Sequence, residues 1–327
     1  MRCALVSSSL DLRGYLGAQF ARIADRIEIV DHRRNGSVAD IRLAVAWHPP
    51  DDAFAHYPNL QAVCSIGAGV DNIIACPSLR PGIDVVRVVD PAQAQMMSGF
   101  VVWHMIWHQR RFKTYLAQQR DGIWQRVRQR NAQSVPVAIL GYGEIGQRVA
   151  ADLTVLGFPV MVWSRTAKLT PSSIKGFHGP SGLAAMLGET EVLVNLLPLT
   201  QETQGILNGE LFARMRRGGY LIQVGRGEHL VEEDLLAALD GGQLEGAALD
   251  VFAAEPLAPA HPFWRHPKIV ITPHDASEVS VEAIATTLVA TADAIRTGQR
   301  PPNAIDRERG YLILRNGFSR AKSLPRH

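Results

Sequence analysis

Val135-Pro-Val-Ala-Ile-Leu-Gly-Tyr-Gly-Glu-Ile-Gly146 is the stretch on which the fold turns. Val137–Leu140 is a short unbroken apolar run, the pattern of a strand buried on both faces. It leads directly into Gly141-Tyr142-Gly143-Glu144-Ile145-Gly146, and a helical pattern from Gln147 to Leu156 follows. A G-x-G-x-x-G string alone is weak; between a strand and a helix it marks a dinucleotide-binding turn. Gly141 permits the tight turn, Gly143 lets the backbone approach a pyrophosphate, and Gly146 lets helix and strand pack closely. The helix N-terminus adds unpaired N–H groups and a partial positive charge for the phosphates.

The next strand, Val160–Trp163, bears on which dinucleotide is bound. A fold selective for NAD places Asp or Glu about 20 residues after the glycines, to accept from the ribose 2′-hydroxyl. This chain has Ser164-Arg165-Thr166 there, with Lys168 close by. An acid would repel a 2′-phosphate, whereas these residues supply donors and a fixed guanidinium plane. The expected cofactor is NADP(H), preferred over NAD(H).

Outward from this core, apolar runs alternate with helical patterns along most of the 327 residues, the signature of an α/β protein with two doubly wound parallel sheets. The first series of strands is expected at Cys3–Ser7, Ile27–Val30, Leu43–Trp47, Ala62–Ile66 and Val85–Val89, with Asp11 capping a helix that runs to about Ala24. The second is expected at Val137–Leu140, Val160–Trp163, Val192–Leu196, Tyr220–Val224, Ala247–Val251 and Ile269–Thr272. Between them a long apolar stretch from Ala92 to about Ala117 reads as a buried helix leading into an arm that ends near Asn131. The helix Val281–Ile295 returns the chain to the first unit. That unit, a smaller flavodoxin-like substrate-binding domain, is therefore discontinuous, 1–94 with 281–327, around a Rossmann-type dinucleotide-binding domain at 95–280.

Composition narrows the function classes. The apolar fraction is 46%, and 34 basic residues against 31 acidic ones leave a net charge of only +3. Such a balance, scattered along the chain, is not a phosphate-binding surface, so no nucleic-acid partner is expected, and Arg120, Arg126, Arg128 and Arg130 read as a solvated or subunit-contact arm. No run approaches the ~18 apolar residues of a membrane span. Cys3, Cys64 and Cys76 are odd in number and lack metal-ligand spacing, so they read as reduced thiols in a cytoplasmic protein, with no metal site.

Ligands of open α/β sheets bind beyond the carboxyl ends of the strands, and three later strands end in reactive groups. Tyr220–Val224 ends at Gly225-Arg226-Gly227, Ala247–Val251 carries Asp250 and leads to Glu255, and Ile269–Thr272 ends at Pro273-His274. A carboxylate beside an imidazole holds it in the protonated, donating form, a role for Glu255 towards His274. Arg226 supplies a permanent charge for a carboxylate or a developing oxyanion. A proton donor, a cation and a nicotinamide together describe reduction of a 2-oxo acid, with hydride arriving at C2 and His274 protonating the oxygen.

These residues stand in strings that resemble the D-isomer-specific 2-hydroxyacid dehydrogenase family: Ile139–Gly146, Asn195–Thr200 (N-L-L-P-L-T), Val224–Gly227 (V-G-R-G), Leu249–Pro256 (L-D-V-F-A-A-E-P) and Ile271–His274 (I-T-P-H). Within the family, Trp47–Pro50, Gly67–Asp71, Arg110–Phe112, Trp163–Thr166 and Asp306–Tyr311 resemble the glyoxylate/hydroxypyruvate reductase A branch. The resemblance implies that Arg226, Glu255 and His274 are catalytic, and that backbone N–H groups of Ala68, Gly69 and Val70 grip the substrate carboxylate beside Arg226. It also implies that Trp47 either walls the pocket or belongs to the core. Asp250 would hold the nicotinamide amide, with Leu197, Pro198, Thr203 and Val224 adding cofactor contacts. A homodimer joined through the cofactor domain and the 92–131 segment is implied as well. Two positions depart from the family pattern. Gln223 stands where Asn is common, and Asp275 follows His274, where it either faces the imidazole or points to solvent or caps the following helix.

The expected activity is NADPH-dependent reduction of glyoxylate or hydroxypyruvate. Two rivals share the scaffold. One is a dinucleotide-sensing, corepressor-like binding protein, which would keep Arg226, Glu255 and His274. The other is oxidation of another small substrate, such as formate or phosphite, by the same scaffold; formate has no carbonyl to protonate, so the Glu–His pair would be superfluous.

Overall fold

Strands joined by helical crossovers pair in parallel and carry helices on both faces, and two such sheets form in this protein. The structure is a computed structural model that describes residues 1–30 and 38–307. In the N-terminal sheet β1 (Arg2–Ser7), β2 (Glu28–Val30), β3 (Ile41–Trp47), β4 (Ala62–Ser65) and β5 (Asp84–Val86) lie in the order β2-β1-β3-β4-β5. The second sheet holds β6 (Val137–Leu140), β7 (Val160–Ser164), β8 (Ile174–His178), β9 (Val192–Asn195), β10 (Gly219–Gln223), β11 (Leu244–Leu249) and β12 (Ile269–Ile271). Their order is β12-β11-β10-β9-β6-β7-β8. The direction of winding reverses between β6 and β9, where Leu140 pairs with Asn195, and a crevice opens beyond that point.

The second series matches its expected strands except at two places. β11 starts at Leu244 rather than Ala247, and β8 was not expected at all. Only Ile174 of β8 is buried, so this edge strand has no apolar run to read.

Helices α1 (Leu12–Arg22) and α2 (Asp71–Ile74) belong to the N-terminal sheet. Asp11 caps α1 as expected, its Oδ1 accepting from the N–H groups of Arg13 and Gly14 at 3.1 Å each. The long apolar stretch is two helices rather than one, α3 (Pro91–Gln109) and α4 (Phe112–Arg120). The break falls at Arg111, which takes a left-handed φ of 56° that no helix interior tolerates. The arm beyond α4 is pinned where it ends. Arg130 makes two bonds to Glu191, at 2.6 and 2.7 Å, and His108 of α3 reaches the same carboxylate at 2.8 Å. Burial opposes ionisation of Glu191, but these two partners prevail and lower its pKa to about 2. Arg130 is thus part of a buried ion-pair cluster and not a solvated residue.

The second sheet is covered by α5 (Glu144–Val155), α6 (Gly179–Leu187), α7 (Gly209–Arg214) and α8 (Glu232–Asp240). The final helix, α9 (Val281–Arg296), returns to the first sheet, burying Ile284, Leu288 and Ala292 in one cluster with Leu12, Leu16 and Phe20 of α1. Asp90 stands where the chain crosses between sheets. Its Oδ1 accepts from Ala92 N at the start of α3 and its Oδ2 from Ser280 N at the start of α9, at 2.9 and 2.8 Å. One carboxylate thereby ties the outgoing and returning crossings together. Most of the Asp306–Tyr311 string, and the tail beyond it, lie outside the described residues.

The glycine loop separates two structural demands. A Cβ on Gly146 would lie 2.1 Å from the Gly141 carbonyl oxygen, whereas one on Gly143 would meet nothing within 4 Å. Gly146→Ala should therefore lower unfolding free energy by about 1–3 kcal/mol, and Gly143→Ala by less than about 1 kcal/mol, both measured by urea denaturation of the cofactor-free protein. Equal stability of the two variants would contradict this division of roles.

Candidate active site

The carboxyl ends of both sheets face one cleft of about 1250 Å³, and every site residue expected from the sequence lines it. On the cofactor side, β6 delivers Gly141 with φ of 103°, and a Cβ there would strike the Leu196 carbonyl at 2.8 Å. Gly143 precedes α5 and opens its N-terminus to the cleft, with Tyr142, Glu144 and Ile145 alongside. The free space over Gly143 and the exposed helix N-terminus suit a diphosphate, so the residues present fit a dinucleotide. At the end of β7 the side chains of Arg165, Thr166 and Lys168 are exposed. Ser164 donates to the Thr166 carbonyl at 2.9 Å, and Arg165 pairs with Glu202 at 3.2 Å. The Arg165 guanidinium thus already has an acid near it. Thr203 is buried and donates to the Pro198 carbonyl at 2.8 Å, folding the loop that presents Leu197 and Pro198.

On the other side of the cleft, the loop after β4 is shaped by Ser65. Its hydroxyl donates to the Gly69 carbonyl at 2.8 Å and accepts from Gly67 N at 3.0 Å. Among the described residues, the N–H groups of Ala68, Gly69 and Val70 have no acceptor, which leaves a small nest of donors open to an anion. Arg226, after β10, crosses to this loop. Its Nε donates to both carboxylate oxygens of Asp71, at 3.1 and 3.3 Å, and its Nη1 to the Gly225 carbonyl at 2.8 Å. A Cβ on Gly69 would lie 1.6 Å from Nη2 of Arg226. The absence of a side chain at Gly69 therefore serves the guanidinium first. Trp47 is part-buried, packs on the core below and reaches the cleft above.

His274 Nδ1 lies 2.8 Å from Glu255 Oε2, and the other oxygen of Glu255 accepts from Phe252 N at 2.9 Å. The hydrogen bond to Glu255 raises the pKa of His274 above the ordinary imidazole value. Burial and Arg226 oppose that rise, while the charges of Glu255 and Asp250 reinforce it. Burial would raise Glu255, but its bonds to His274 and to Phe252 N–H, with the charges of His274 and Arg226, hold it below the usual carboxylate range. Nε2 of His274 has no partner among the described residues and is the nitrogen left for a ligand. The backbone of His274 is left-handed, φ 56°, a conformation that costs about 1–2 kcal/mol for a residue with a Cβ. Asp250 braces it. Its Oδ1 accepts from Thr272 Oγ1 at 2.6 Å and Asp275 N at 2.8 Å, its Oδ2 from Ala276 N at 3.1 Å, and its own carbonyl from His274 N at 2.8 Å. Asp275 itself is exposed, and the charges that act on His274 are those of Glu255, Arg226 and Asp250. Its carboxylate thus takes the solvent alternative.

A buried amide–imidazole cluster beneath Arg226 was not anticipated. Gln223 donates to the Arg226 carbonyl at 2.8 Å and accepts from Gly225 N at 3.2 Å and Asn195 Nδ2 at 2.8 Å. His229 Nδ1 accepts from Arg226 N at 3.0 Å and Asn195 Nδ2 at 2.9 Å, and its Nε2 donates to the Pro198 carbonyl at 3.3 Å. Burial lowers the pKa of His229 to about 4, so the ring is neutral, with its proton on Nε2. The cluster fixes the Arg226 turn and the Asn195–Thr200 loop as one body. Asn195 opens the Asn195–Thr200 string and Gln223 immediately precedes Val224–Gly227, whereas His229 lies two residues beyond that string and had no signal of its own. Asp71 had the signal of position alone, as the last residue of Gly67–Asp71.

The arrangement offers an imidazole held by a carboxylate, an arginine with a free edge and a nest of N–H groups around one space, next to a crevice suited to a dinucleotide. These are the elements of reduction of a carbonyl that carries a neighbouring carboxylate.

Comparison with known proteins agrees with this chemistry. The family described as "D-isomer specific 2-hydroxyacid dehydrogenase, NAD binding domain" matches residues 102–276. A glyoxylate/hydroxypyruvate reductase A of Serratia proteamaculans is 41% identical over 273 residues, 82% of this chain and 87% of that protein. Among solved structures, a D-isomer-specific 2-hydroxyacid dehydrogenase of Xanthobacter autotrophicus Py2 in complex with NADPH and MES superposes with a TM-score of 0.89. It is 35% identical, covering 95% of this chain and 99% of that one. An NADPH-dependent glyoxylate/hydroxypyruvate reductase of Sinorhizobium meliloti, in complex with NADP and sulfate, gives a TM-score of 0.87 at 34% identity, with coverage of 95% and 99%. This chain belongs to the D-isomer-specific 2-hydroxyacid dehydrogenase family and is an oxidoreductase.

Proposed function

We propose that the protein reduces a small 2-oxo acid, glyoxylate or hydroxypyruvate, with NADPH. The observation that carries this is the His274–Glu255 pair at 2.8 Å, opening on the same cleft as Arg226 and the glycine loop. A bound nicotinamide dinucleotide supplies the hydride. The substrate carboxylate is gripped by the free edge of Arg226 and the N–H groups of Ala68, Gly69 and Val70. Glu255 keeps His274 charged, and Nε2 of His274 gives its proton to the C2 oxygen. Trp47 limits the length of the chain beyond C2. Asp250 sets the position of His274 and faces the nicotinamide amide. In this reading residues 1–94 with 281–327 bind substrate, and residues 95–280 bind the cofactor, with Val224, Leu197, Pro198 and Thr203 shaping the nicotinamide end.

The test is steady-state turnover with glyoxylate, hydroxypyruvate and a bulkier 2-oxo acid, with wild type and His274→Ala. The two small acids should turn over and the bulkier one poorly, and the variant should lose about 10²–10⁴-fold in kcat. Dinucleotide binding without turnover on any acid would favour the sensing role instead.

The preference for NADPH is supported by Arg165, Ser164, Thr166 and Lys168 in place of an acid, and by the NADPH complex of the Xanthobacter relative. Glu202 beside Arg165 tempers it, because a 2′-phosphate must draw the guanidinium away. Arg165→Ala should raise the KM for NADPH about tenfold and leave that for NADH within about twofold. Equal losses for both cofactors would remove Arg165 from the discrimination.

Because Glu255 raises His274, reduction should be full at low pH and fall as pH rises through the raised pKa. In Glu255→Gln that support is gone, so the falling limb of the kcat/KM profile should move to lower pH. An unmoved limb would mean that some other group donates the proton.

We also infer a homodimer in a reducing, cytoplasmic compartment. All three cysteines are buried free thiols, and no described helix is long and apolar enough to cross a membrane. Trp103, Ile106, Phe112, Leu116 and Trp124 on α3, α4 and the arm are exposed, an apolar patch of the kind that marks an interface. Light scattering should report a dimer, and Trp103→Glu combined with Phe112→Glu a monomer. A monomeric wild type would refute the assignment.

A further inference from the structure

Arg87 is the cleft's unused cation. It follows β5, and the N–H of the next residue, Val88, bonds to the Gly67 carbonyl at 3.2 Å, so it stands beside the loop that faces Arg226. Its side chain lines the cleft with Gln93, Met97 and Glu144. Its Nε is sealed from solvent with no hydrogen-bond partner, and no other side-chain bond of Arg87 occurs among the described residues. Leaving a buried charged donor unpaired is costly, so such a group in a cleft wall is poised for a ligand. Burial depresses its pKa, and the charge that offsets this is Glu144, the first residue of α5. Arg87 and Glu144 line the same cleft as the glycine loop, which sets the guanidinium in the cavity onto which the helix N-terminus opens and where a dinucleotide's diphosphate fits. Arg226 faces the other end of the Gly67–Val70 loop and is already engaged by Asp71.

We infer that Arg87 binds the diphosphate of the dinucleotide from the substrate-side sheet, supplying across the cleft the positive charge that the glycine loop lacks. The loop offers only backbone dipoles, and its one charged side chain, Glu144, is an acid that repels phosphate. A guanidinium is the group best matched to two phosphate oxygens. The contact also joins the two halves of the protein through the cofactor. This assignment rests on the reading of the cleft as a dinucleotide site.

The test is direct binding of NADPH, followed by its fluorescence, to wild type, Arg87→Met, Arg87→Lys and the double variant Arg87→Met/Glu144→Gln. Arg87→Met should raise Kd about tenfold or more and flatten its dependence on salt, since one charge-assisted contact is lost. Arg87→Lys should recover most of the affinity, which shows that the methionine variant does not fail through misfolding. The KM for glyoxylate, measured at saturating NADPH, should change by less than about threefold. The assignment is overturned if Arg87→Met leaves NADPH affinity intact while the glyoxylate KM rises, because the anion is then the substrate carboxylate. It is equally overturned if Glu144→Gln in the double variant restores wild-type affinity, because Arg87 then only neutralises Glu144. The readout is binding, so absence of glyoxylate turnover bears on the reductase reading alone.

Discussion

The site depends on one contact between sheets. Arg226 leaves the carboxyl end of β10, lies against the bare Cα of Gly69 and is gripped through Nε by Asp71, 155 residues away in the chain. A charge-assisted, two-oxygen contact of this kind fixes direction as well as distance. It leaves one edge of the guanidinium for a ligand, and it sets that edge beside the unpaired N–H groups of Ala68, Gly69 and Val70. Any side chain at position 69 would displace the arginine, so the loop sequence and the reach of Arg226 form a single constraint. Asp71 has a second effect. It balances the arginine while no substrate is present, which lowers the cost of keeping a guanidinium only 23% exposed.

Charge in the cleft is arranged by coupling groups that would otherwise be costly to bury. His274 and Glu255 stabilise each other's charged forms, and Arg226 acts on both, disfavouring the imidazolium and favouring the carboxylate. Beneath them His229 is kept neutral by burial and serves purely as a hydrogen-bond junction. Two histidines of the same region are thus shifted in opposite directions, and their surroundings explain it: one faces a carboxylate, the other is buried among amide and carbonyl groups. A fully satisfied buried network of this sort imposes one geometry, and the geometry it imposes is that of the Arg226 turn.

Much of this was legible because the site is written in short contiguous strings at strand ends. Gly141–Gly146, Val224–Gly227 and Ile271–His274 each put a reactive or backbone-specialised residue directly after an apolar run, and parallel sheets bring all such ends to one edge. Relations between strings were not legible. The sequence contains Asp71 and Arg226 but no trace of their pairing, and it contains Asn195, Gln223 and His229 without showing that one amide bridges the other two. β8 escaped notice because an edge strand buries little, and the α3–α4 break because a left-handed arginine has no signature of its own. Asp275 shows the limit at its narrowest. Adjacent to His274 in the chain, it is exposed, and the carboxylate that meets the imidazole is that of Glu255 instead.

That geometry carries a cost, and its support shows how the fold and the chemistry are linked. His274 is left-handed, and the carbonyl and carboxylate of Asp250 together take four hydrogen bonds from Thr272, His274, Asp275 and Ala276. Each such bond, in a buried setting, contributes about 0.5–3 kcal/mol, enough in combination to outweigh the ~1–2 kcal/mol of backbone strain. The strain is therefore retained by Asp250, directly after β11, and not by the loop that bears the histidine. Because β11 also lies next to β10, which ends at the Arg226 turn, His274 and the guanidinium are referenced to neighbouring strands of one sheet. Their separation is consequently tied to strand register, which burial of the sheet faces strongly specifies.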